Sequence, residues 1–95
     1  MARLPKEPEA GKIRYYLAMS RAKTITTTRC YVSTRGTFSP MLETVGAQDA
    51  TSPEEAVTQH LMQCGSVVRT VRAEDVEGTP NAWVVIFDTE TRAII

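Results

Sequence analysis

Residues 52–65 (SPEEAVTQHLMQCG) are the one stretch of this chain whose start, face and stop can all be read from residue chemistry, and they read as a helix. Ser52 can accept a backbone hydrogen bond as N-cap, and Pro53 occupies the first helical position, where a missing N–H costs nothing. Glu55 stands three residues after Ser52, as a capping box requires. Gly65 supplies the stop. Between the ends, Val57, Leu61 and Cys64 recur at i, i+4 and i+7, with Ala56 and His60 on the flank, giving one apolar stripe over about three turns. Such a stripe must be buried against another element, and the rest of the patterned sequence has the period of strands.

Residues 12–19 alternate, with Ile13, Tyr15, Leu17 and Met19 on one side and Lys12, Arg14, Tyr16 and Ala18 on the other. This predicts a half-buried strand. Residues 24–34 are rich in Thr, β-branched and aromatic residues and form its hairpin partner, with Cys30 and Val32 turned inward. Gly36 and Pro40 punctuate the following segment, and residues 41–48 are a candidate third, shorter strand. After the helix, residues 66–76 and 82–88 form a second hairpin around the Gly78–Thr79–Pro80–Asn81 turn, paired beside the first. The expectation is an α+β fold, a two-layer sandwich of one helix on a four- to five-stranded, mainly antiparallel sheet in the order β-β-(β)-α-β-β.

Ninety-five residues suffice for one core, so residues 12–95 are expected to be a single domain behind a loose leader at 1–11. That leader contains Pro5, Glu7, Pro8 and Glu9 and lacks the apolar stretch of a signal peptide. The longest apolar run, 82–87, is far short of the ~18 residues that span a bilayer. A cytoplasmic location without membrane contact is therefore expected. Cys30 and Cys64 make no disulfide framework, and both are expected to be buried free thiols.

The net charge of zero hides a division. Residues 1–35 hold eight Lys or Arg against two Glu, whereas the remaining sixty residues hold three Arg against nine acids. Such asymmetry suggests one face that attracts anions, unless folding interleaves the two halves. On the non-core side of the first hairpin, Lys12, Arg14, Tyr16, Arg29, Tyr31 and Arg35 alternate cations with rings. That combination suits an acidic protein surface, a phosphorylated small ligand, or single-stranded nucleic acid, which needs charges for phosphates and rings for base stacking.

No motif commits the chain to a reaction. His60 and Cys64 lie four apart on one helix side, but a zinc site needs three or four ligands and the other soft ligand, Cys30, is distant. The acids Glu74, Asp75 and Glu77 crowd a strand end with no supporting His or basic residue and read as a solvated turn. The five glycines form no phosphate-cradling loop. No catalytic residue, metal site or cofactor is assigned.

Residues 82–87 (AWVVIF) are apolar on both faces: Trp83, Val85 and Phe87 on one, Val84 and Ile86 on the other. One helix covers one face of a sheet, so the second face requires another cover or marks an interaction site. Met62 on the outward helix side and the terminal Ile94 and Ile95 add apolar surface. The expectation is a small non-enzymatic binding protein, a regulator, inhibitor or assembly subunit. It is expected to self-associate as a homodimer through Val84, Ile86, Met62, Ile94 and Ile95, by the uncovered sheet face or by the edge beside residues 82–88. A nucleic-acid-binding module using the basic hairpin is the alternative.

Overall fold

A computed structural model describes residues 6–20 and 29–91. In chain order the elements are β1 (Ile13–Ser20), β2 (Arg29–Ser33), β3 (Leu42–Ala50), α1 (Pro53–Gln63), β4 (Ser66–Asp75) and β5 (Ala82–Thr91). The strands form one antiparallel five-stranded sheet in the order β3-β1-β2-β5-β4, with the helix on one face. The α+β two-layer architecture expected from the sequence is present, and the third strand is real and nine residues long.

The helix begins where capping chemistry places it. Ser52 Oγ accepts from the Glu55 N–H at 3.1 Å, and the Ser52 carbonyl accepts from the Ala56 N–H at 3.1 Å. The Glu55 carboxylate accepts hydrogen bonds from Thr51 Oγ1 and from Gln59 Nε2, so it braces the first turn sideways instead of closing a box. At the other end Gly65 adopts φ +86° and donates to the Met62 carbonyl at 3.0 Å, a left-handed stop that a side chain would strain.

The core lies between α1 and the sheet face that carries Tyr15 and Leu17 from β1, Cys30 and Val32 from β2, Val85 and Phe87 from β5, and Ala50 from β3. Ala56, Val57 and Leu61 fill it from the helix. Tyr15 and Trp83 meet edge to face, with ring centroids 5.7 Å apart. Gln48, on the same face of β3, finds its partner in Gln63 at the helix end, at 3.0 Å. The stripe expected from the sequence is corrected at its last member: Cys64 is exposed, because it is the C-cap, where the chain already leaves the helical path. Cys30 is buried as expected, and burial pushes its thiol up to about 12.

Two crossovers determine what each face of the sheet sees. Counting directions through the antiparallel pairs, β3 and β4 run parallel at opposite edges, and α1 spans between them on the core face. Strands β2 and β3 likewise run parallel on either side of β1. Ser33 ends beside Tyr16 while Leu42 starts beside Ser20, so residues 34–41 must travel back along β1. They do so on the face away from the helix: Gly36, at φ +74°, lies against the Tyr16 ring, where an added Cβ would sit 3.4 Å from it. Ala18, which points to that same face, is fully buried.

Candidate protein-binding surface

The sheet face opposite α1 is read directly from the register. Across it run Arg14, Tyr16 and Ala18 of β1, Arg29, Tyr31 and Ser33 of β2, Ala82, Val84 and Ile86 of β5, and Arg72 and Glu74 of β4. Arg14, Tyr16, Arg29 and Tyr31 thus share this face, as the alternation predicted, but their charges are not left as one basic field. Arg14 is held by Asp49 of β3, with Nε to Oδ1 at 2.8 Å and Nη2 to Oδ2 at 3.0 Å, and its Nη1 donates to the Lys6 carbonyl. The Lys12 ammonium meets the Glu9 carboxylate at 3.7 Å. Arg29 and Arg35 are exposed, and Arg29 stands beside Ile86, one strand away from the Arg72–Glu74 ion pair of 2.9 Å. The cause is topological. The basic hairpin sits in the middle of the sheet, flanked by strands from the acidic part of the chain, so folding interleaves the two halves.

Among the described residues expected to mediate self-association, Val84 and Ile86 do not share a surface with Met62. Val84 and Ile86 are half-buried on the face away from the helix, while Met62, 64% exposed, projects from α1 with the sheet between them. Ile94 and Ile95 lie outside the described residues. Strand β5 is interior to the sheet, paired to β2 and β4 on its two sides. The edge beside it therefore belongs to β4.

What the face does hold is a cleft of about 390 Å³. Its floor is Tyr31, Ser33, Ala82 and Val84; one wall is the crossover, with Phe38 and Leu42, and the other is the β4–β5 turn, with Val76 and Pro80. Arg35, Thr37, Ser39 and Thr79 stand exposed at its rim. Sequence patterning placed Pro80 in a turn and assigned no binding role to it, to Phe38 or to Leu42. The available signal was a lone aromatic inside Arg-Gly-Thr-Phe-Ser-Pro, a segment otherwise built of turn formers. For the double-sided β5 strand, Ala82 and Val84 face the cleft beside the crossover, whereas Ile86 lies between Arg29 and Arg72 outside it.

The chemistry-bearing candidates are placed as follows. His60 rests over Gly46, and its imidazole is held below its ordinary value by burial. Its Nε2 lies 3.9 Å from Cys64 Sγ. Among the described residues no three His, Cys, Asp or Glu converge as metal ligands. Glu74 is engaged with Arg72, and Asp75 and Glu77 are exposed at the turn. No helix among the described residues is long and apolar enough to cross a membrane.

Compared with protein-family models, with curated proteins and with solved structures, the chain has no match. Fold and surface together define a class, a two-layer α+β protein whose crossover lies against part of its second sheet face.

Proposed function

We propose that the protein is a non-enzymatic binding protein, a regulator, inhibitor or assembly subunit, whose contact surface is the sheet face opposite α1. The observation that carries this is the apolar cleft between Phe38 and Pro80. Small-molecule sites bury roughly 70–90% of their ligand. This cleft has exposed residues along its rim and an apolar floor, which suits a side chain projecting from another protein, the anchor-in-pocket arrangement of interaction hot spots. Arg35 at the rim adds charge complementarity for a carboxylate next to that anchor. The occupant is therefore an apolar residue of a partner protein flanked by an acidic one.

The competing reading, single-stranded nucleic acid, is weakened by the bidentate pairing of Arg14 with Asp49, which spends one of the cations that phosphates would need. The two are separated by placing a photocrosslinking residue at exposed Thr37 of the full chain in its source cells. A discrete protein adduct that disappears when Phe38→Ala is added supports the proposal. A nucleic-acid adduct, or no adduct that depends on Phe38, contradicts it.

A further inference from the structure

The free edge of the sheet at β4 carries a second, independent surface. Among the described residues, β4 has one neighbouring strand, β5, so one side of its backbone is unpaired. Exposed edges of this kind are usually blunted by bulges and charges, and both edges here contain a bulge. In β3 it falls at mid-strand, where Leu17 pairs with Gly46 and Ala18 with Thr44. In β4 it falls near the start, between Val68 and Thr70, leaving a regular run from Thr70 to Asp75.

The hydrogen-bond phase of that run is fixed. The Val76 N–H donates to the Ala82 carbonyl at 3.2 Å, so Glu74 and Arg72, opposite Val84 and Ile86, also turn their peptide groups toward β5. Val71, Ala73 and Asp75 then present their N–H and C=O groups to the open side. On the same strand, Arg72 and Glu74 point to one face and pair with each other at 2.9 Å.

We infer that β4 pairs with β4 of a second copy, antiparallel about a two-fold axis through Ala73. In a continuous sheet, facing residues share a face, so only alignments that match like faces are allowed. Centring on Arg72 or on Glu74 sets that residue against its own copy, and centring on Asp75 does the same for a third charge. Centring on Val71 runs Ala73 into the bulge position. Centring on Ala73 brings the outward-facing peptide groups of Val71, Ala73 and Asp75 together and sets Arg72 opposite Glu74 of the partner, twice. The Arg72–Glu74 pair is thus its own complement under a two-fold operation. An edge contact of this size is at the small end of specific interfaces, so the dimer is a weak, concentration-dependent one.

Sedimentation equilibrium of the full chain, from micromolar to near-millimolar concentration, reads the association. Arg72→Glu and Glu74→Arg should each weaken it at least about tenfold, because each converts both cross-chain pairs into like-charge contacts. An equimolar mixture of the two variants should regain wild-type association, since both acidic positions of the first variant then face basic positions of the second across the axis. Ala73→Pro, which removes an outward N–H and no bond to β5, should be monomeric with an unchanged circular dichroism spectrum. A mass of 10.5 kDa throughout the range overturns the inference. So does a dimer that survives all three substitutions, and so does a mixture that stays monomeric.

Discussion

Arg14 and Asp49 face each other on neighbouring strands, and the guanidinium grips the carboxylate through two nitrogens while the side chains keep only 19% and 11% of their exposure. A cation from the basic part of the sequence is thereby spent on an acid from the other part, along the seam that joins β3 to β1. The Arg14 hydrogen bond holds the Asp49 carboxyl below its usual range. A depressed carboxyl stabilises the fold at pH values above its unfolded value of ~3.9, and that contribution is lost as the pH falls through the lower folded value. Asp49→Asn should therefore be less stable than the parent chain at pH 7, with the gap closing below about pH 4. Urea midpoints of both proteins from pH 7 to pH 3 measure it, and a gap that does not change with pH would refute the coupling.

The buried thiol has the opposite sign. Burial raises the Cys30 thiol to about 12, so the folded state keeps its proton where the unfolded chain begins to lose it, near pH ~8.5. Its contribution is complete below that value and is lost as the pH rises toward about 12. Cys30→Ala should flatten the alkaline fall in stability between pH 9 and 11, at the cost of a small cavity. In the parent protein at pH 8, exposed Cys64 should react with a thiol reagent within minutes, and Cys30 only at the rate of unfolding. Equal reactivity of the two would show that Cys30 is not buried.

Truncating the core side of the helix should exceed the loss of its cap. Leu61→Ala should cost ~2 to 5 kcal/mol and Ser52→Ala ~1 kcal/mol, because the first leaves a cavity and the second removes one hydrogen bond. Urea midpoints in the reverse order would contradict the packing described for α1.

The helix ends, the two hairpins and the inward choice of Cys30, Val32, Val85 and Phe87 were legible because each rests on local chemistry or period. The interleaving of charge was not, since it depends on strand order: residues 42–50 return to pair with β1 only after crossing the sheet. The same crossover brings Phe38 to the cleft that Val84 lines, a neighbourhood that no local period encodes. Cys64 was misplaced by extending the helical period one residue past Gln63, where the helix ends and Cys64 is its C-cap.

Gly36 positions the crossover. Its φ of +74° opposes any side chain, and a branched one would extend beyond a Cβ already at contact distance from the Tyr16 ring, so Gly36→Val should destabilise by roughly 1 to 3 kcal/mol. It should also alter the environment of Phe38, visible as shifted aromatic NMR signals. An unchanged midpoint and spectrum would mean that the crossover does not depend on this contact.

Selection of a displayed random peptide library on the full chain tests the binding account most directly. The selected peptides should carry an aliphatic or aromatic residue next to Asp or Glu. Their affinity should fall at least about tenfold with Phe38→Ala and several-fold with Arg35→Glu, while Met62→Ala on the other side of the sheet changes nothing. Peptides indifferent to Phe38 and Arg35 would contradict it. So would a chain that selects no peptide but binds single-stranded RNA with a steep salt dependence lost in Arg29→Glu.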